Sequence, residues 1–113
     1  MVARTPLFEA PPFEVESGIR RLGADLRTAR LRRNLTLDDV AAKIGIGRRA
    51  VADAERGKPT TTIVTYVALL WAYGLVEDFG GLADPGKDAE GMALARSTDR
   101  IRARASKKLD NDF

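Results

Sequence analysis

The chain contains no cysteine and no histidine. Without cysteine it can form neither a disulfide nor a thiolate zinc site. Without histidine it lacks the commonest general base, every catalytic triad that needs an imidazole, and most transition-metal sites. An enzyme built on this chain would have to work with carboxylates or lysine alone. We therefore expect a protein that is not an enzyme and that uses no metal or cofactor.

Long apolar runs are missing as well. No segment approaches the roughly 20 apolar residues that are needed to span a bilayer. The N-terminus, MVARTPLFEAPPF, has no continuous apolar stretch of the kind found in secretory signals. The 113 residues are 44% hydrophobic and 31% charged, which suits one small globular domain with a short tail. We expect a cytoplasmic protein.

Charge is distributed unevenly along the chain, although the net charge is only +3. Residues 17–58 carry eleven Lys/Arg against five Asp/Glu, a balance of +6, whereas residues 59–94 carry one lysine against five acids, a balance of −4. A basic segment beside an acidic one is consistent with two partner surfaces of opposite sign. It is equally consistent with solvated charge on soluble helices, and charge alone leaves both interpretations open.

The sequence predicts helices and no strand. Pro6, Pro11 and Pro12 predict an extended arm over residues 1–16. A helix is expected from Ser17, its N-cap, to Asn34, because apolar residues recur there at spacings of three and four. Residues 84–113 are expected to form a charged, partly disordered tail, in which 88–105 can form a further helix that ends frayed or disordered.

After this first helix, three short helices are expected, and a short fifth helix follows them before residue 84. Thr36 and Asp39 resemble a capping box at the start of one of them, and glycines end each of the three, at positions 45, 57 and 74. The last of the three is predicted to bury Trp71 on a face that it shares with Ile63, Val67 and Leu70. Residues 17–83 would then form a compact, all-α, five-helix domain.

The second and third of these helices carry a specific spacing. Ala41 provides a small residue where two helices cross, Gly45 allows a turn with positive φ four residues later, and Val51 packs the next helix back onto the core. Apolar residues flank all three positions. Together they predict a helix-turn-helix.

On these residues, and on the longer run LGADLRTARLRRNLTLDDVAAKIGIGRRAVADAERG (residues 22–57), the chain resembles the phage-repressor/Cro type of helix-turn-helix protein, the XRE family. The resemblance implies a DNA-binding transcriptional repressor whose recognition helix, residues 47–56, enters the major groove of a palindromic operator. It also implies that Arg30 pairs with Glu55 and ties the first helix to the recognition helix. The alternative for Arg30 and Glu55 is a weak ion pair on the exposed surface.

The resemblance further implies which residues meet DNA. Bases would be faced by Gly47, Arg48, Arg49, Ala52 and Asp53. The two arginines can bind guanine or phosphate, and Asp53 can accept from cytosine or hold Arg49 in place. Phosphates are expected near Arg27, Thr36, Lys43, Arg56, Lys58 and Thr60. Leu37 stands where the family often has a glutamine that reaches DNA.

Two partner surfaces remain. One domain offers few base contacts, so a homodimer is expected, with its interface at Leu75, Val76, Phe79 and Leu82. The segment LLWAYGLVEDFGGLADPGKDAEGMALA also looks like HipB-like regulators, which implies an antitoxin that holds a HipA-like kinase toxin. A stand-alone repressor or a restriction-modification controller is the alternative. A helical protein–protein adaptor is the alternative of another class, and the charge of +6 over residues 17–58 argues against it.

Overall fold

The structure is a computed structural model and describes residues 6–111, with side chains through Leu109. Within that range it has α-helices and two 3-10 turns but no strand, so the all-α class predicted from the sequence is confirmed. Residues 1–5 of the expected arm and 112–113 of the expected tail lie outside the described residues. The helices are α1 (Pro6–Glu9), α2 (Phe13–Arg32), α3 (Leu37–Ile44), α4 (Arg48–Glu55), α5 (Ile63–Ala72) and α6 (Ala89–Asn111).

The chain divides into two compact units, Met1–Glu77 and Asp78–Phe113. The first unit holds the apolar core, to which each of α2, α3, α4 and α5 contributes. Full burial of a Leu or Val side chain contributes about 1.5–3 kcal/mol, so a few such residues hold these short helices together. The core residues are Leu26, Ala29, Val40, Ala41, Val51, Ala54, Tyr66, Leu69 and Tyr73.

The N-terminal segment differs from the extended arm that the sequence predicts. Pro6 opens the four-residue helix α1, and α2 begins at Phe13 with Pro12 as its N-cap, so the predicted start at Ser17 is wrong. Proline lacks an N–H, but the first N–H groups of a helix have no partner inside it, and the fixed φ of proline suits a helix start. Prolines thus mark helix starts here instead of excluding them.

The buried face of α5 also differs from the prediction. Tyr66, Leu69 and Tyr73 are buried, whereas Ile63 is 62% and Trp71 59% exposed. The prediction that Trp71 belongs to the core is therefore wrong. Because α5 is apolar nearly all round, hydrophobic periodicity could not distinguish its inner face from its outer one.

The second unit is built from short 3-10 turns followed by α6. Asp84 caps the turn Pro85–Lys87 by accepting from the Gly86 N–H (2.9 Å), and Asp88 likewise accepts from the Gly91 N–H (2.9 Å) at the start of α6. The helix then continues to Asn111, six residues beyond the predicted end at 105. None of the helices described over residues 6–111 is long and apolar enough to cross a membrane.

Candidate nucleic-acid interface

The helix-turn-helix begins at Thr36, which caps α3. Its Oγ1 accepts from the Asp39 N–H (3.0 Å), while its own N–H donates to Asp39 Oδ2 (2.9 Å), so both halves of a capping box are formed. These bonds to Thr36 lower the pKa of the Asp39 carboxyl. The start of α3 is therefore firmly set, with its remaining N–H groups directed outward as at any helix N-terminus.

The turn between α3 and α4 uses two glycines in different ways. Gly45 has φ of 75°, and its N–H and that of Ile46 both donate to the Ala41 carbonyl (2.9 and 3.0 Å). Gly47 is the N-cap of α4 in an extended conformation, with no side-chain bond to the helix. Gly45 thus makes the turn, while Gly47 leaves the first N–H groups of α4 without a side-chain cap.

Two arginines open α4, and both are exposed. Arg48 lies 3.9 Å from Asp38, a loose pair in which both side chains are mostly exposed. Arg49 forms no ion pair or hydrogen bond with the side chains described through Leu109. Arg48 also lines a groove together with Thr36 and Asp38, so the start of α3 and the start of α4 lie side by side. Cations at a helix N-terminus oppose the helix dipole, and α4 has no acid in its first turn to offset them.

Asp53 has other partners than the sequence suggests. Its carboxylate accepts from Arg56 and lies 3.7 Å from the Lys58 ammonium, and it makes no ion pair with Arg49. The hydrogen bond from Arg56 is the main cause that lowers the pKa of Asp53. Asp53 therefore remains ionised. It pairs with Arg56 and Lys58, two of the cations that were expected to contact phosphate.

The other expected phosphate contacts fall into two groups. Lys58, Thr60 and the N-cap of α5, Thr62, line one polar groove together with Asp53, so these residues lie together. Lys43 instead donates to the Ala72 carbonyl (3.3 Å) at the end of α5. Arg27 is exposed on α2 and has no ion pair or hydrogen bond within the described part of the chain.

Arg30 and Glu55 form a buried ion pair between α2 and α4. The guanidinium donates from Nε and Nη2 to the two carboxylate oxygens (2.7 and 3.0 Å), and Nη1 donates to the Leu35 carbonyl (2.9 Å). Only 10% and 7% of the two side chains are exposed, so the alternative of an exposed surface pair does not apply. The hydrogen bonds that Arg30 donates to Glu55 raise the pKa of Arg30, and the pair fixes the C-terminal end of α4 against α2.

Two contacts that position α4 and α5 are absent from the sequence-based prediction. Gly23 on α2 is buried where a Cβ would meet the backbone at the end of α4, namely the carbonyl oxygens of Ala54 and Glu55 and the Gly57 nitrogen. Arg33 donates to the Tyr73 carbonyl (2.9 Å) and lies 5.5 Å from its ring centre, so it ties α2 to the end of α5. A glycine inside a helix was the available signal for the first contact, since glycine disfavours a helix interior.

Comparison with known proteins agrees with this geometry. The family described as "Helix-turn-helix domain" matches residues 21–78, slightly more than half of the chain and the segment that holds α3, the turn and α4. The chain belongs to this helix-turn-helix family. Over 53 residues it is 38% identical to an uncharacterized HTH-type transcriptional regulator, y4mF, of Sinorhizobium fredii (strain NBRC 101917 / NGR234). That alignment covers 47% of this chain and 70% of the relative. No solved structure matches.

The family and the relative together identify a DNA-binding transcriptional regulator of the helix-turn-helix type, not an enzyme. The expected DNA-binding function is thereby confirmed at this level. The family match begins at Arg21, and therefore excludes α1 and the first turns of α2, and it ends at Asp78. It covers none of α6, so the role of the second unit has to be argued from its own residues.

Proposed function

We propose that the protein is a sequence-specific repressor that inserts α4 into the major groove, with Arg48 and Arg49 as its main base-reading residues. The observation that carries this proposal is the exposed arginine pair at the start of α4. The helix has no side-chain N-cap bond and no acid in its first turn, and Arg48 makes only a loose contact with Asp38 (3.9 Å). Such an arrangement disfavours the isolated helix and is relieved when the guanidinium groups meet an anion or a guanine edge. Gly47 and Ala52 add little bulk beside them, so the helix can approach the bases closely.

The proposed contacts with DNA phosphates depend on which polar and cationic groups have no strong partner within the protein. Thr36 and the N–H groups of α3 would hold one phosphate beside Arg48, and Thr60 with the start of α5 would hold another. Arg27 would add a contact from α2. In this proposal Asp53 does not read cytosine but orients Arg56 and Lys58 toward the DNA backbone. Lys43 is the weakest candidate for a phosphate contact, because it already donates to the Ala72 carbonyl at the end of α5.

We further propose that the repressor acts in the cytoplasm as a homodimer on a palindromic operator. Each chain presents one recognition helix, and two half-sites one helical turn apart would engage two such helices. An exposed apolar stripe on the first unit supports a self-association surface. It comprises Val64 and Trp71 on α5 and Leu75 just beyond it, spaced seven and four residues apart. Of the other expected interface residues, Leu82 is exposed, whereas Val76 and Phe79 are half-buried.

Replacing Trp71 by lysine should therefore weaken the dimer at least tenfold, because a charge would replace the largest apolar side chain of the stripe. Ile63→Lys is the matched control, since Ile63 is just as exposed on the same helix but lies off the stripe. Sedimentation equilibrium measures both variants, and footprinting should show that the wild-type dimer protects two half-sites. A monomeric wild-type protein, or equal loss in both variants, would contradict this interface.

A finer proposal is that the repressor is the antitoxin of a toxin–antitoxin operon and also holds a HipA-like kinase. It is supported by the likeness of residues 69–95 to HipB-like regulators and by the exposed acids within residues 77–90, namely Glu77, Asp78, Asp84, Asp88 and Glu90. Co-expression with the adjacent reading frame should yield a complex that depends on these acids. A chain that represses its own promoter without any partner would instead be a stand-alone repressor or a restriction-modification controller.

A further inference from the structure

The second half of α6 carries a dense set of cations. Residues 95–111 contain six Lys/Arg and two acids, Asp99 and Asp110. Every described side chain from Met92 to Leu109 is exposed, and none of these six cations makes an ion pair or hydrogen bond with the side chains described over residues 6–109. The six are Arg96, Arg100, Arg102, Arg104, Lys107 and Lys108.

Five of the six fall on one side of the helix. Arg96, Arg100, Arg104 and Lys108 are spaced four residues apart, so each stands about 6 Å further along the axis and only about 40° further round it. Lys107 lies beside this row, which we call the α6 basic row, whereas Arg102 lies well outside it. Like charges at this spacing repel one another and disfavour a free helix. The row is thus best stabilised by a partner that supplies closely spaced negative charge.

We propose that the α6 basic row is a second nucleic-acid contact, which binds the phosphate backbone of DNA without reading its sequence. The row spans about 18 Å, the length of roughly five base pairs. It is tethered to a unit that belongs to a DNA-binding family, so its encounter with the same duplex is intramolecular and needs little intrinsic affinity. This contact does not depend on which operator α4 recognises.

An anionic membrane is the competing partner for a basic amphipathic helix. The other side of α6 is poorly suited to it, because its large apolar residues, Leu94, Ile101 and Leu109, are seven and eight residues apart and no aromatic residue lies between 89 and 111. Interfacial helices carry a broad apolar face with aromatic anchors. Charge complementarity without an apolar anchor favours DNA.

The test uses the full-length protein and a short duplex without an operator, with affinity measured by fluorescence anisotropy from 50 to 300 mM salt. Log affinity falls linearly with log salt, and each phosphate contact adds about 0.9 to the magnitude of that negative slope. The triple variant Arg96→Gln, Arg100→Gln, Arg104→Gln should lower the magnitude by roughly 2 to 3. Arg100→Gln alone should lower it by about 0.9. Arg102→Gln, the matched control outside the row, should leave it unchanged.

Two further measurements decide the cause. Replacing the same three arginines by lysine keeps the charge and should keep the slope, and a comparable fall in that variant would overturn the proposal. The triple glutamine variant should also lose the same factor on operator and non-operator DNA, whereas loss of α4 contacts would change their ratio. If the triple glutamine variant kept the wild-type slope and lost binding only to phosphatidylserine vesicles or to a co-purifying protein, the row would belong to that partner. This result would overturn the DNA contact.

Discussion

Gly23→Ala is expected to destabilise the first unit by about 3 kcal/mol or more. A Cβ at this position would overlap the Ala54 carbonyl oxygen and lie 2.7 Å from that of Glu55 and 2.9 Å from the Gly57 nitrogen. All three are backbone atoms, so no side chain can rotate away, and α4 itself would have to move off α2. The helix propensity gained by alanine, about 1 kcal/mol, is too small to offset the overlap.

Gly18→Ala is the matched control for this substitution. Gly18 lies on the same helix, and a Cβ there would meet nothing within 4 Å. It should raise the free energy of unfolding by up to about 1 kcal/mol, because only the propensity gain remains. Urea unfolding of the two variants measures the contrast. If both alanines stabilised the protein, the close approach of α2 to the end of α4 would not exist in solution.

Gly23 also shows where sequence-based prediction reaches its limit. Capping and turn residues are recognisable from the few residues around them. The roles of Thr36 and Gly45 and the limits of α4 therefore follow from the sequence alone. The contact of Gly23 joins positions more than thirty residues apart, and only the folded backbone reveals it. The prediction for Trp71 is wrong for a related reason, since a helix that is apolar nearly all round does not show in its sequence which side faces the core.

The candidate site shows the same division. The spacing of Ala41, Gly45 and Val51 was sufficient to predict the helix-turn-helix, because each position has its own steric requirement. The resemblance also implies the pair of Arg30 and Glu55, but neither spacing nor resemblance gives the partners of Asp53 and Lys43. Asp53 pairs with Arg56 and Lys58, and Lys43 donates to the carbonyl at the end of α5. Long side chains can reach several neighbours, and only the packing of the helices decides which of them they bind.

Replacing Arg48 and Arg49 together by alanine should lower operator affinity at least about thirtyfold, since each bidentate contact with guanine contributes roughly 1–3 kcal/mol. The fold should persist, because both side chains are exposed and neither touches the core. Arg21→Ala with Arg32→Ala is the control, which removes the same charge from exposed positions of α2. Circular dichroism should show the same helix content in both variants.

The central claim, that α4 reads bases through its first two residues, is tested most directly by the ratio of operator to non-operator affinity at one fixed salt concentration. The operator is first found by selection from random duplexes. In the Arg48/Arg49 variant the ratio should fall toward one, while the Arg21/Arg32 variant keeps the wild-type ratio even if both affinities drop. A ratio that stays at the wild-type value in the Arg48/Arg49 variant would contradict the account and leave these arginines as phosphate contacts.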